Sequence, residues 1–337
     1  SPYLFKTEDY GKTWKKITNG IAPLHFTRVL RADKKRTGLL YCGTEFGMYV
    51  SFDDGQNWKA FQQNLPIVPI TDLCLANNDL VVATQGRSFY VLDDLSALQQ
   101  MNQDFTKKSI AAFAPRDVYR MEGYVANNVV NAGTNPPNGL VLDYFLKDYN
   151  DTSLIKISLY DKNNKHIRSF DTKSEKEEKL EAKKGMNRFV WNLFYPPAEK
   201  IEDMILWSGS VGGPKAPPGS YKAVVKSRTD SVSINFNVIA DPNYKISQAD
   251  YDVQFDFLIK TRDKFSEVQK AIKQIREVRS QLNSLSARLP KDTTSKALKA
   301  TSDSIVKKIT RIEETLFQTK AKSGQDILNY PIRLNDK

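Results

Sequence analysis

One short pattern occurs twice near the start of the chain and limits what that region can fold into. Thr7-Glu8-Asp9-Tyr10-Gly11-Lys12-Thr13-Trp14 and Ser51-Phe52-Asp53-Asp54-Gly55-Gln56-Asn57-Trp58 both read Ser/Thr-x-Asp-x-Gly-x-x-Trp, and 44 positions separate Asp9 from Asp53. Each copy follows a strand-like run (Tyr3-Leu4-Phe5; Met48-Tyr49-Val50) and precedes another, at residues 14–17 and 58–61. A carboxylate that bonds its own backbone, a glycine free to take positive φ and an aromatic ring that folds back over both suit a hairpin turn. The spacing matches a repeating four-stranded unit of roughly 40–45 residues. A third, decayed copy follows: residues 44–54 align with 84–94, and Leu95 stands where the others have glycine.

On this repeat, inner strands fall near residues 26–32 and 70–76, and second strands near 38–43 and 79–84. Third strands fall near 48–52 and 88–92, and fourth strands near 13–17 and 57–61. The motif resembles the Asp box, or BNR repeat, of the blades of sialidase-like, xyloglucanase-like and sortilin-like β-propellers. That resemblance makes Thr7, Asp9, Gly11, Trp14, Ser51, Asp53, Gly55 and Trp58 turn architecture, away from the usual ligand face. Residues 1–95 hold about two and a half blades, and closed propellers usually need at least four. An unclosed set leaves strand edges bare. The expectation is a piece of a longer protein, with the remaining blades upstream or in another chain of one assembly.

Composition sets outer bounds. A chain of 337 residues with 40% hydrophobic content forms two or three ordinary cores. No apolar run approaches the ~20 residues of a membrane helix, so no transmembrane segment is expected. No signal peptide is visible, and a piece lacking its true start would not show one. The net charge of +11 permits an anionic partner. The lysines, however, are interleaved with Asp and Glu and no nucleic-acid motif is present, so no nucleic-acid partner is expected. Cys42 and Cys74 both sit in strand-like runs and read as small buried residues; a bridge between neighbouring blades is the alternative. Two His and two Cys make no metal cluster, and no cofactor is expected.

Beyond residue 95 the pattern changes. Residues 96–138 read as a connector ending in a loop rich in Asn, Gly and Pro from Asn127 to Asn138. Residues 139–241 return to β alternation, with about seven short strands that suggest a β-sandwich. Gly185-Met186-Asn187-Arg188-Phe189-Val190-Trp191 and Ala216-Pro217-Pro218-Gly219-Ser220-Tyr221 resemble paired elements of a flagellar-hook-cap-type immunoglobulin-like domain, with Trp191 between the sheets. The Gly/Pro-punctuated segment from Pro196 to Pro218 contains Trp207, which packs within its loop or contacts a neighbouring domain. Residues 246–320 read as an antiparallel helical hairpin. Ser247 to Asp250 caps the first helix. One apolar stripe runs through Tyr251, Leu258, Ile272 and Leu285 to a stop at Pro290, and a second runs through Leu298, Ile305, Ile312 and Leu316. Residues 321–337 form a tail. The fold class is therefore multidomain, mainly β plus α: partial Asp-box propeller blades, an immunoglobulin-like sandwich and a C-terminal helical hairpin. The series Glu45-Phe46-Gly47, Thr84-Gln85-Gly86-Arg87 and Asn329-Tyr330-Pro331-Ile332 extends the resemblance, to the C-terminal half of bacterial BNR-repeat or sortilin-like proteins labelled glycosyl hydrolases. That implies a secreted, periplasmic or outer-surface location in a bacterium.

Propeller ligands usually bind at the loops joining second to third strands and outer strands to the next inner strand. Those loops hold His25, Glu45, Phe46, Gln85 and Arg87, with Glu45 and Arg87 at similar places in consecutive blades. A carboxylate acts as acid or base, and an Arg grips a carboxylate or a sugar hydroxyl. The same two residues serve equally as a structural ion pair. Glu45 is the sole weak catalytic candidate, because a glycosidase needs two opposed carboxylates. Two functions stay open: a non-catalytic binding or assembly portion that presents a propeller face to protein or glycan, and part of a glycoside hydrolase whose catalytic residues lie mainly upstream.

Overall fold

The computed structural model describes every residue except Gln103, 122–132, Thr134, Asp151, 207–209, Lys291 and Lys337. Trp207 and most of the loop expected from Asn127 to Asn138 therefore lie outside the described residues. The molecule is multi-sheet and mainly β, with a C-terminal pair of helices. It divides into two compact units: Ser1–Asn192 with Gly219–Ile239, and Leu193–Pro218 with Ala240–Lys337.

The first unit opens with the antiparallel pair β1 (Phe5–Lys6) and β2 (Lys15–Lys16). Next, β3 (Thr27–Ala32), β4 (Leu40–Thr44), β5 (Gly47–Ser51) and β6 (Lys59–Ala60) form a four-stranded antiparallel sheet in chain order. Then β7 (Ile70–Ala76), β8 (Asp79–Thr84) and β9 (Phe89–Leu92) form a three-stranded one. Each strand lies where the repeat places it, although β2 and β6 are only two residues long. Alternation sends Val29, Tyr41, Met48 and Val50 to one face of the four-stranded sheet, where they pack with Ile70, Leu73, Leu80 and Val82 of the next sheet. Leu40, Cys42 and Tyr49 point the other way and pack with Leu4, Ile21 and Trp58. The two sheets approach tightly at Gly43, where a Cβ would stand 2.7 Å from both Ile70 Cγ2 and Val29 Cγ1.

Three details recur in both sheets. The register slips between Thr27 and Val29 and again between Ile70 and Asp72. Glu45 N donates to Phe26 O and Gln85 N to Pro69 O, each at 2.9 Å. The hydroxyls of Thr44 and Thr84 donate across their turns to Gly47 O and Ser88 O. The sheets are copies of one unit, and the second has no fourth strand among the described residues. Where a third turn of this kind would form, α1 (Ser96–Gln100) begins instead, and Leu95 is buried in the core between the two sheets. Cys42 is buried and free, but Cys74 is exposed and free. The expectation of two buried cysteines fails because Cys74 lies opposite Val81 on the outer face of the three-stranded sheet.

The stretch expected as a connector contributes β10 (Ile110–Ala112) and β11 (Val118–Arg120) to the next pair of sheets. These are too short for alternation to announce them. The later strands are β12 (Leu140–Leu146), β13 (Lys156–Tyr160), β14 (His166–Asp171), β15 (Gly185–Trp191), β16 (Gly219–Lys226) and β17 (Ser231–Ala240). They assemble as a three-stranded sheet ordered β10-β12-β15 and a five-stranded sheet ordered β11-β17-β16-β13-β14. Rings cross between the two: Phe170 meets Phe189 at 4.9 Å, and Trp191 meets Tyr221 and Phe236 edge-on at 6.1 and 6.4 Å. Trp191 is fully buried there.

In the second unit, α2 (Gln248–Arg288) starts at a Ser247/Asp250 capping box and α3 (Thr293–Leu316) at an Asp292 cap. Bonds from Ser286 to Ser302 and from Arg279 to Thr310 run the helices antiparallel. Ile201, Ile272 and Phe317 form the local core, with Met204, Val268 and Leu316 against it. The stripe is less buried than its spacing predicts: Leu258, Leu285, Leu298, Ile305 and Ile312 remain exposed. A helix pair covers one seam, and a third layer is needed to cover its flanks. The Gly/Pro-rich segment lies along α2, with Tyr195 against Phe255 at 4.8 Å and Glu199 paired with Lys273 at 2.9 Å.

Candidate functional site

The two Ser/Thr-x-Asp-x-Gly-x-x-Trp turns are alike in the hydrogen bonds of their Ser/Thr and Asp side chains. In the first, the Thr7 hydroxyl donates to Asp9 Oδ1 and accepts from Gly11 N, while Asp9 accepts from Thr13 N and the Thr13 hydroxyl. In the second, the Ser51 hydroxyl donates to Asp53 Oδ1 and accepts from Gly55 N, while Asp53 accepts from Asn57 N and Asn57 Nδ2. Tyr10 and Gly11 take φ of 59° and 90°, and Asp54 and Gly55 take 60° and 84°. Left-handed backbone at two successive positions is the conformation that glycine accepts most readily. The backbone and hydroxyl bonds from Thr13 hold Asp9 below the usual carboxylate range. Burial opposes the charge on Asp53, but bonds from Asn57 and Ser51 outweigh it and hold Asp53 low as well. Both carboxylates are spent on their own turns.

The tryptophans differ. Trp58 is buried and donates through Nε1 to Ile17 O at 2.8 Å. Trp14 is exposed and donates to Gly11 O within its own turn at 3.1 Å.

The candidate ligand residues gather at the sheet ends that carry the β4–β5 and β8–β9 turns. There, Glu45 takes a two-point grip from Arg28: Nε donates to Oε2, and Nη2 donates to Oε1 at 3.1 Å. This pairing lowers the Glu45 carboxyl and raises the Arg28 guanidinium. Sequence spacing sets Glu45 beside Arg87; the structure pairs it with Arg28, and Arg87 is exposed in the β8–β9 turn. Arg28 escaped the sequence reading because it sits at the register slip in β3, where a bulge re-aims a side chain that plain alternation would leave on the sheet face. His25 Nδ1 and the Tyr49 hydroxyl share a hydrogen bond at 2.9 Å, and the His25 ring lies 5.0 Å from Phe46. Gln85 is exposed, with its backbone N held by Pro69 O. His25, Phe46 and Glu45 thus share one corner with Arg28 and Tyr49, and Gln85 and Arg87 occupy the equivalent corner of the next sheet.

Chemically, this corner offers one ionised carboxylate already neutralised by a guanidinium, an imidazole tied to a phenol, and an exposed aromatic face. A carboxylate held low is a poor proton donor at neutral pH. Among the described residues, no group of three or more His, Cys, Asp or Glu side chains is placed to hold a metal ion. No described helix is long and apolar enough to cross a membrane.

No protein-family model matches the chain, and no curated protein matches it. Solved structures give distant likenesses. Two are structures of the extracellular domain of BT4673 from B. thetaiotaomicron, named for a hybrid two component system and for a one component system. They are 12% and 14% identical, cover 70% and 72% of this chain, and give TM-scores of 0.21 and 0.22. A third is dimeric latent PorU from Porphyromonas gingivalis, 14% identical over 63% of this chain with a TM-score of 0.19. The chain spans 28%, 34% and 20% of the lengths of these three. Similarity of that order assigns neither fold nor function.

Proposed function

We propose that this chain is a non-catalytic binding or assembly portion of an Asp-box β-propeller protein, secreted or held at the cell envelope. In this reading, β1–β9 are propeller blades completed by further sheets of the same kind, β10–β17 are an immunoglobulin-like sandwich, and α2–α3 are a scaffold hairpin. The ligand is protein or glycan, met at the corner built from His25, Glu45 and Phe46 and its equivalent at Gln85 and Arg87. The observation that carries the reading is the Arg28–Glu45 fork. It occupies the carboxylate of this corner, Glu45, and the Asp-box carboxylates are bound within their own turns. A glycoside hydrolase needs two free carboxyl groups about 5–10 Å apart across the bond it cuts.

The test pairs a glycan and protein-ligand array with a panel of chromogenic glycosides. Retention of a ligand without turnover, weakened by Phe46→Ala, is the expected result. Turnover that disappears in Glu45→Gln, with the circular dichroism spectrum unchanged, would refute the reading in favour of a hydrolase.

A further inference from the structure

Exposed apolar side chains gather at one end of the β3–β9 strands. Leu24 and Phe26, in the loop before β3, are 74% and 50% exposed. Phe46 in the β4–β5 turn is 45% exposed, and Ile67 in the loop between β6 and β7 is 74% exposed. Each of these loops has described strands on both sides. Scattered singly, such residues are ordinary on a protein surface. These four are tied together. Phe26 O accepts from Glu45 N at 2.9 Å, which sets Phe26 beside the turn that carries Phe46. The ring of His25, between Leu24 and Phe26, lies 5.0 Å from the Phe46 ring. Gln62 reaches the same turn, where its Oε1 accepts from Met48 N at 3.4 Å. Its Nε2 donates to Leu65 O and Pro66 O, which holds Ile67 next to that turn. The opposite ends of the same strands turn through Asp33-Lys34-Lys35-Arg36 and Asn77-Asn78-Asp79, which expose no large hydrophobic residue.

The charge beside this surface is of one sign. Pro69 O, two residues past Ile67, accepts from Gln85 N at 2.9 Å and so holds the β8–β9 turn against the same loop. Arg87 stands at the tip of that turn. Its backbone is fixed, because Thr84 N and the Thr84 hydroxyl both donate to Ser88 O. The tip is uncovered: a Cβ at Gly86 would meet nothing within 4 Å. Residues 17–26, 45–46, 61–69 and 85–88 contain no Lys, one Arg and one carboxylate, Glu45. Glu45 is spent on Arg28, and Arg87 has no carboxylate partner among the described residues. An unspent guanidinium beside apolar surface fits a carboxylate carried on an apolar chain.

We infer that this end of the sheets receives an extended peptide segment of a partner protein. Its aliphatic or aromatic side chains cover Leu24, Phe26, Phe46 and Ile67, and its Asp or Glu pairs with Arg87. The inference rests on reading this corner as a ligand site and narrows the ligand to protein. A glycan brings hydroxyls to satisfy, but here the imidazole is tied to Tyr49 and the carboxylate to Arg28, and Leu24 and Ile67 offer no ring to stack on. An anionic lipid surface is held by a cluster of basic side chains, and these loops supply Arg87 alone.

A phage-displayed library of random decapeptides, panned on the full chain, tests the inference. Enriched sequences should combine Leu, Ile, Val, Phe or Tyr with Asp or Glu. A synthetic peptide of the leading sequence, followed by fluorescence anisotropy, should bind about tenfold more weakly to Phe46→Ser and to Ile67→Ser. Arg87→Glu should reverse the preference, so that panning on it enriches Lys and Arg in place of Asp and Glu. All three positions are exposed, so circular dichroism should not change; a variant that misfolds is replaced by Leu24→Ser or Arg87→Ala. No enrichment over the bare support, enrichment without acidic bias, or binding that survives both Ile67→Ser and Arg87→Glu overturns the inference. Sedimentation with phosphatidylglycerol vesicles, with no peptide enriched, overturns it in favour of a lipid surface. A glycan held on an array, with no peptide enriched, overturns it and leaves the binding-portion reading standing. Glycoside turnover that disappears in Glu45→Gln overturns both.

Discussion

Truncating Trp14 and Trp58, the tryptophans of the two repeated turns, separates what the motif does locally from what the neighbouring sheet adds. Trp58 is 3% exposed and Trp14 is 60% exposed, although their turns match in the hydrogen bonds of their Ser/Thr and Asp side chains. A buried indole removes about 230 Å² from water, so the difference amounts to about 130 Å². At about 25 cal/mol per Å² that area is worth about 3 kcal/mol. Trp58→Ala also deprives the buried Ile17 carbonyl of its donor, at a further cost of about 1 kcal/mol. Trp58→Ala should therefore cost about 4 kcal/mol more than Trp14→Ala, which itself should cost less than about 1 kcal/mol. Because the chain has two units, global unfolding is a poor measure. The suitable assay is hydrogen exchange at the backbone amides of position 58 and Phe61, whose N–H groups bond Asn19 O and Met48 O and survive the truncation. Exchange there should be about 100-fold or more faster in Trp58→Ala than in Trp14→Ala. Rates within about tenfold of each other would refute the argument that tertiary burial, and not the turn, gives the motif its energetic weight.

Two further perturbations probe the helical pair. Glu313 is buried, with Arg276 at 2.7 Å and Arg279 at 2.6 Å; burial opposes its charge, but the two arginines outweigh it and hold the carboxyl below its usual range. A folded value below the unfolded one of about 4.3 means that the stabilisation is complete above that pH and disappears as pH falls through the folded value. Urea titrations of the α-helical signal should show a smaller acid loss in Glu313→Gln than in the native chain, the remainder coming from Glu199, Asp292 and Asp326, whose carboxyls are also held low, and Glu313→Ala should cost about 3 kcal/mol at neutral pH. Gln269 in α2 is fully buried, and neither its Nε2 nor its Oε1 has a hydrogen-bond partner. Gln269→Met should raise stability by about 1 kcal/mol by removing an unsatisfied amide; a lower melting temperature would mean that the amide is hydrogen-bonded in solution.

The residues that were legible in the sequence are those whose partners are near in sequence. Thr7, Asp9, Gly11 and Thr13 close their turn within seven residues, as do Ser51, Asp53, Gly55 and Asn57, so the pattern and the geometry are one fact. The strands around them, the Ser247/Asp250 cap and the two helices were legible for the same reason: period and capping are local. The Arg28–Glu45 fork was not legible, because a bulge 17 residues before the turn decides where the guanidinium points. β10 and β11 were missed because three residues carry too little alternation to stand out, and their pairing is with strands far along the chain.

The two repeated turns are therefore written in the chain itself, because their hydrogen bonds run between residues two to four apart and need nothing else to form. Which copy of each repeated side chain ends up buried was settled by tertiary packing alone. Trp14 and Trp58, or Val50 and Val91, which the strand register matches one place later than the sequence alignment does, differ in whether another sheet lies against them. Burial is a property of the neighbour, and a repeat carries no local record of what packs against it.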